Sequence, residues 1–355
     1  MTVAVIIPAY NEERSLPDTL NSLLRQTVPA EQIIVVDDGS TDGTFKVATR
    51  YPDVTAMRTP INTGSKARAQ NYALDYVHTD LVLTLDADTM LADDYIELIK
   101  KPFIDERVVI AAGAVQARFA RSVTERGRQI EYLLSFNFSR AIQGKTDAPA
   151  VCSGCCSVFR TSVLKEVGGL PEGTVTEDLD YTWARQIAGG RAVYVSDAVC
   201  WAIEPATIEY MRKQTWRWMA GFVQCVRKHG MGMIRHKKML ALWTGLALFD
   251  MAISPLWWLW AAMMVVLGHL TTAALIVGGE MMVMLPLLAY AARRHRLSLP
   301  RVVVNVPFVY INRMINNYYA WKALIVELIL VPLRLSKGLT DFEKGRADDP
   351  APEAA

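Results

Sequence analysis

Apolar residues come first in short runs and later in long ones, and this change of scale divides the chain. Residues 3–7 form a run that stops at Pro8 and reads as a buried strand. Residues 12–26 follow, with Leu16, Leu20, Leu23 and Leu24 on one helical face. A second run, 33–36, ends in Asp37-Asp38-Gly39-Ser40; a short helix fits 42–50 and a third strand 54–58. Residues 66–77 space Ala67, Asn71, Leu74 and Val77 as a helix does, and a fourth buried run, 81–85, ends in Asp86-Ala87-Asp88. Strand and helix alternating four times predict an α/β fold, a mostly parallel sheet covered on both faces. In such sheets ligands sit beyond the carboxyl ends of the strands. One acidic cluster at a strand end would be ordinary turn chemistry. Two of them on one sheet predict a polar site.

From residue 108 the pattern loosens. Residues 118–143 look helical and carry many arginines, and 150–160 contain the small-residue stretch Cys152-Ser153-Gly154-Cys155-Cys156-Ser157. Residues 174–188 open on Thr176-Glu177-Asp178 and continue with helical spacing through Leu179, Trp183 and Ile187. A further helix, 209–227, contains Gln214, Trp216, Arg217 and Trp218. Residues 1–235 are therefore expected to form one soluble domain.

Beyond it the chain is membrane-like. Between residues 239 and 292 only Asp250 and Glu280 carry full charges. A crossing needs roughly 20 apolar residues. Residues 251–270 and 271–292 each supply that, and a charge at Asp250 inside a span is costly, so 239–250 is expected to be an interfacial helix. Arg293, Arg294, Arg296 and Arg301 follow the second span, and the positive-inside rule puts that loop, with the first domain, in the cytoplasm. Residues 302–330 are apolar but interrupted by Asn305, Asn312, Arg313, Asn316 and Asn317, which fits either a third span or an interfacial segment. The membrane region is thus 236–335, with a cytoplasmic tail, 336–355, expected to be disordered over 347–355.

Composition narrows the chemistry. A net charge of +2 argues against a nucleic-acid partner. Five cysteines without regular spacing argue against a disulfide framework. A zinc set of Cys152, Cys155 and Cys156 lacks a second CxxC or a His pair, so small buried thiols are the better expectation. No basic stretch followed by an apolar run opens the chain, so no cleaved leader is expected.

The acidic clusters suit a sugar nucleotide. Its diphosphate calls for a divalent metal or cations, and magnesium and manganese bridge carboxylates to phosphates. Asp86 and Asp88 could hold such an ion at a strand end. An attacking hydroxyl needs a base, for which Asp178 is a candidate. A leaving diphosphate needs charge stabilisation, which Arg217 could give, and Trp216 and Trp218 offer faces for sugar rings. A nucleotidyltransferase would share the alternation, but would need a Gly- and Lys-rich triphosphate loop near the start, which Pro8-Ala9-Tyr10-Asn11-Glu12 is not.

In order, Asp37-Asp38-Gly39-Ser40, Asp86-Ala87-Asp88, Thr176-Glu177-Asp178 and Gln214-Thr215-Trp216-Arg217-Trp218 resemble the D, DxD, (T/E)ED and QxxRW motifs of glycosyltransferase family 2. The resemblance is to its synthase-like branch, which makes cellulose, chitin, hyaluronan and poly-N-acetylglucosamine. It implies a GT-A fold, an inverting mechanism, a UDP-sugar donor and Mg2+ or Mn2+. Carried over residue by residue, Asp38 contacts the nucleoside, Asp86 and Ala87 lie by the diphosphate, and Asp88 is the metal ligand. Asp178 is the base with Glu177 beside it. Gln214, Arg217 and Trp218 lie near the diphosphate and the acceptor. Pro8, Tyr10 and Glu12 match the family's first strand and turn at the nucleotide-sugar site, and Lys66 matches loosely a basic residue there.

No apolar span precedes residue 239, whereas polymer-exporting members carry one or more. The expectation is therefore a multi-pass enzyme of the cytoplasmic membrane, with the bilayer as partner, adding few sugars to a lipid-linked or glycan acceptor. The alternative is a processive synthase working as a homo-oligomer.

Overall fold

The computed structural model describes residues 1–339, so most of the expected tail, including 347–355, lies outside the described residues. Eight strands form one sheet: β1 (Val3–Ala9), β2 (Gln32–Asp37), β3 (Val54–Arg58), β4 (Leu81–Thr84), β5 (Thr89–Leu91), β6 (Val108–Ala117), β7 (Ser157–Arg160) and β8 (Arg191–Ala202). Their spatial order is β3-β2-β1-β4-β7-β6-β8-β5. The expected α/β fold is present. The first four strands pair in parallel, as do β6 and β8. Strand β7 runs antiparallel to β4 and β6, and β5 antiparallel to β8, so the sheet is mixed.

Helices α1 (Leu16–Leu24), α2 (Thr44–Ala48), α3 (Lys66–Leu74), α4 (Tyr95–Lys100), α5 (Val123–Leu134), α6 (Arg140–Lys145), α7 (Thr161–Glu166) and α8 (Glu177–Ile187) cover the sheet and its margins. One face buries Leu16, Leu20 and Leu23 of α1 with Tyr95, Ile96 and Ile99 of α4. The other buries Ala67, Ala73 and Leu74 of α3 with Leu164 and Tyr181. The helix expected from residue 12 starts at Leu16, because Pro17 belongs in a first turn. Glu12 is left in the loop, where it accepts a hydrogen bond from the Ser15 hydroxyl. The helix expected over 118–143 is interrupted by a π-helical turn at Ser135–Ser139.

Four long helices follow, α9 (Ile208–His236), α10 (Lys238–Val266), α11 (Leu270–Arg294) and α12 (Leu299–Ile325), the last continuing into a π-helical turn at Val326–Leu330. Helix α10 runs unbroken through Asp250, so the expected division into a 239–250 helix and a separate 251–270 span is not seen. By length and composition α10 and α11 could each cross a membrane. Their outward faces are apolar, with Leu246, Phe249, Trp257, Leu275 and Met282 exposed.

Helix α12 accounts for the ambiguous segment. Three of its four asparagines turn to α5, and the fourth, Asn317, accepts from the Ser254 hydroxyl of α10 at 3.4 Å. Asn305 Nδ2 donates to Gln129 Oε1 at 2.8 Å, Asn312 Nδ2 to the Thr124 carbonyl at 3.0 Å, and Asn316 Nδ2 to Glu131 Oε1 at 2.9 Å. Val302, Val306 and Val309 pack with Ile130 and Leu133 of α5 and Leu288 of α11. Arg313 pairs with Glu280 of α11 at 2.5 Å. The basic turn after α11 docks on the same domain: Arg294 Nη2 reaches Asp197 at 2.6 Å, and His295 contacts Gln116 and Asn137 at 2.6 and 2.9 Å.

The approach of α12 to α5 depends on Gly127. A Cβ there would meet Asn312 Nδ2 at 2.5 Å and the Phe308 carbonyl at 2.6 Å. Gly127→Val should therefore lower stability by about 1–3 kcal/mol through overpacking. Thermal unfolding of the purified chain checks this, and an unchanged Tm would show that the two helices can separate at no cost.

Candidate active site

All residues expected at the site except Trp216 border one cleft of about 1000 Å³ beyond the carboxyl ends of β1, β2 and β4. Pro8, Tyr10, Glu12 and Asp38 border it, as do Lys66, Asp86, Ala87 and Asp88. Glu177, Asp178, Gln214, Arg217 and Trp218 complete the set. Trp216 does not join them. It packs on Tyr319 of α12, with Lys322 Nζ 4.3 Å above its ring.

At one end the buried Asp38 carboxylate accepts from the Thr63 amide at 2.9 Å and the Thr63 and Thr59 hydroxyls at 2.8 and 2.9 Å. These bonds fix the turn that leads into α3. Asp37 lies behind it and takes the Arg58 guanidinium at 2.6 Å, so only the second aspartate of the pair borders the cleft.

Lys66 opens α3 and points across the floor. It forms an ion pair with Asp86, lies 3.8 Å from Glu177 and donates to the Gly154 carbonyl at 3.0 Å. Burial alone would depress its pKa, but the two carboxylates outweigh burial and hold the ammonium above its ordinary range. Asp86 moves the same way for a different reason. Burial raises its carboxyl, and the nearby Asp88 adds to this, against the pull of Lys66 and Arg217. Burial also lifts Glu177, with Asp178 as a second negative neighbour. The two partners' shifts pull oppositely on the Lys66–Asp86 pair. The contact decides in favour of the charged pair. The carboxylates of Asp86 and Asp88, both bordering the cleft, are oxygen donors that fit a hard divalent cation.

Asp178 is held from both sides. Its Oδ2 accepts the Gly154 amide at 2.7 Å, and its Oδ1 accepts the Leu179 amide at 2.8 Å in the first turn of α8. A side chain at Gly154 would come within 3.1 Å of Asp178 Cβ, which is why the small-residue loop passes here. Gln214, Arg217 and Trp218 lie at i, i+3 and i+4 of α9 and share one face.

One residue stands out that sequence reasoning passed over. Arg128 of α5 is buried and borders the cleft. It reaches Glu131 at 2.6 Å, Glu204 at 3.5 Å and Gln214 Oε1 at 3.1 Å, and lies 4.9 Å over the Trp218 ring. It therefore fixes two members of the α9 motif from the opposite wall. Its neighbours Glu131, Tyr132 and Glu204 also border the cleft. The only signal in the sequence was an arginine-rich helix, and nothing there singled out this arginine.

The comparisons with known proteins follow that geometry. The profile described as "Glycosyl transferase family 2" matches residues 4–168. The chain carries a family 2 glycosyltransferase domain. Poly-beta-1,6-N-acetyl-D-glucosamine synthase of Staphylococcus epidermidis is 29% identical over 262 residues, covering 72% of this chain and 62% of the synthase. Hyaluronan synthase of Streptococcus pyogenes is 32% identical over 266 residues, covering 68% of this chain and 62% of that synthase. The chain thus spans less than two thirds of the length of the curated relatives it matches. A solved mannosyltransferase of Pyrobaculum calidifontis, in complex with GDP-Man and Mn2+, superposes with TM-score 0.62 at 22% identity, over 92% of this chain and 87% of that one. S. aureus TarS 1-349 with UDP-GlcNAc gives 0.51 at 19% identity, over 92% and 91%. These two share the fold, which is of the GT-A type. In this family 2 domain the D and DxD motifs come from strand ends or their loops, whereas the TED motif opens α8 and the fourth motif lies on α9, both outside the matched segment.

Two outcomes test this geometry. Glu177 binds its proton more tightly folded than unfolded. Its burial therefore costs nothing below the ordinary carboxylate range, and stability is lost as pH rises through its elevated pKa. Glu177→Gln should accordingly melt higher than wild type above neutral pH, with the gap closing in acid; thermal melts across pH check it. Arg128→Met leaves the buried Glu204 and the half-buried Glu131 without their cation and should cost about 3–5 kcal/mol. Adding Glu204→Leu should restore part of that loss in chemical denaturation.

Proposed function

We propose that the chain is an inverting, metal-dependent glycosyltransferase, moving a sugar from a UDP-sugar to a lipid-linked or polysaccharide acceptor at the cytoplasmic face of a membrane. The observation that carries the reading is Asp178, a carboxylate fixed by two backbone amides in the same cleft as the DxD pair and Arg217.

Asp38, clamped by Thr59 and Thr63, binds the nucleoside end beside Pro8, Tyr10 and Glu12. Lys66 orients Asp86 and Glu177 and keeps both close to the diphosphate. A Mg2+ or Mn2+ ion held by Asp88, with Asp86 beside it, would supply positive charge to the leaving diphosphate. Arg217 adds a guanidinium on the same side, and its field reaches both Asp86 and Glu177. Asp178 removes the proton from the acceptor hydroxyl as that oxygen attacks the anomeric carbon from the face opposite the leaving group. Trp218, backed by Arg128, offers its ring to the acceptor sugar.

The membrane part of the proposal rests on α10 and α11 as a hairpin with apolar outward faces. The docking of Arg294 and His295 on the sheet domain keeps the basic turn and the cleft on one side of that hairpin. A processive synthase acting as a homo-oligomer is the second reading, favoured by the two relatives, both polysaccharide synthases. Product mass separates the two: a single addition supports the first and a ladder of lengths the second.

UDP release from a panel of UDP-sugars by detergent-purified protein is the direct test. Asp178→Asn should lose about 10²–10⁴-fold in turnover, the usual contribution of a positioned base. Metal chelation should abolish release, and added Mg2+ or Mn2+ should restore it. Equal turnover of Asp178→Asn and wild type would remove Asp178 from the chemistry.

A further inference from the structure

The sequence contains a CxxCC stretch that the proposed chemistry does not use. The structure brings two of its thiols to a third from elsewhere. Cys155 and Cys156, just before β7, and Cys200 of β8 hold their sulfur atoms within 4.8 Å of one another. Cys155 Sγ and Cys156 Sγ are 3.8 Å apart. Cys152 does not join them, since it belongs to the core on the other face of the sheet. Cys225 lies against Thr176 on α9.

Three sulfurs bound to one tetrahedral ion at about 2.3 Å stand about 3.8 Å apart. Movements of about 1 Å or less would therefore close the trio on an ion. Cys156 and Cys200 are fully buried, whereas Cys155 borders the cleft and gives access from solvent. Among the described residues, the group that could hold an ion here contains sulfur donors alone. Such a set selects soft cations and discriminates against Mg2+ and Mn2+, which prefer the oxygens of the cleft.

We propose that Cys155, Cys156 and Cys200 form a three-thiolate site for a soft d10 metal ion of the zinc group, directly beneath the DxD strand end. Binding breaks three S–H bonds, forms three metal–sulfur bonds and releases three protons to solvent, with no change of oxidation state. The site is wired to the cleft through the backbone. The Asp86 amide donates to the Cys155 carbonyl at 3.1 Å, and the Gly154 amide holds Asp178. Drawing the three sulfurs together displaces the loop that supports both carboxylates, so loading inhibits transfer.

Cd2+ is the probe, added to the reduced full chain in detergent, with thiolate-to-metal charge-transfer absorbance and proton release as readouts. One Cd2+ per chain is expected, with a band that saturates. The band should be lost in Cys200→Ser and kept in Cys152→Ser and Cys225→Ser. Cys200→Ala serves if the serine variant does not fold, with melting temperature as the check on both. Turnover measured with Mg2+ should fall on adding Cd2+ to wild type and resist it in Cys200→Ser. No band in wild type, or a band of equal strength in a folded Cys200 variant, overturns the site. Because absorbance is read without any sugar donor, that result is distinct from failure of the proposed transferase chemistry.

Discussion

Lys66 stands where three chain segments that are far apart in sequence converge. Its ammonium faces Asp86 from the loop after β4, Glu177 from α8 and the Gly154 carbonyl from the loop before β7. Without a cation at that point the acidic motifs would repel one another across a buried floor. With it they are brought close on a floor whose burial lifts the carboxyls of Asp86 and Glu177 above their ordinary range. The polar groups of the floor are therefore in place before any ligand arrives. An environment preorganised this way favours charge that develops during a reaction, because no reorientation is needed at that moment.

The same cleft has a second wall, built from elements that contribute nothing to the sheet. Arg128 carries contact from α5 to Gln214 and Trp218 on α9, and Glu131 passes it on to Asn316 on α12. The wall facing Lys66 is thus continuous with the helix that packs on the apolar hairpin. Movement of α12 would be felt at Gln214 through two side chains.

The first half of the fold was legible because it obeys simple periods. Apolar runs ending at Pro8 or in an acidic cluster located β1, β2 and β4, and these ends are where the cleft opens. The second half was less so. Strand β6 is rich in Ala and Gly, which carry little strand propensity, and its burial comes from pairing with β7 and β8 rather than from its own composition. Arg128 was hidden for a related reason. A buried arginine is defined by its partners, and Glu131, Glu204 and Gln214 come from three different elements. The asparagines of α12 read as interruptions of a span, and only the docked structure shows three of them as hydrogen-bond donors to α5.

The docking of Arg294 and His295 on Asp197, Gln116 and Asn137 has a geometric consequence. It clamps the end of the hairpin to the rim of the sheet domain with charged and polar contacts rather than through a flexible linker. On the proposed membrane orientation, that clamp acts as a spacer of fixed height. The mouth of the cleft sits at one set elevation above the lipid headgroups. An acceptor anchored in the bilayer can then be selected by the distance between its anchor and its reacting hydroxyl, independently of which sugar carries that hydroxyl.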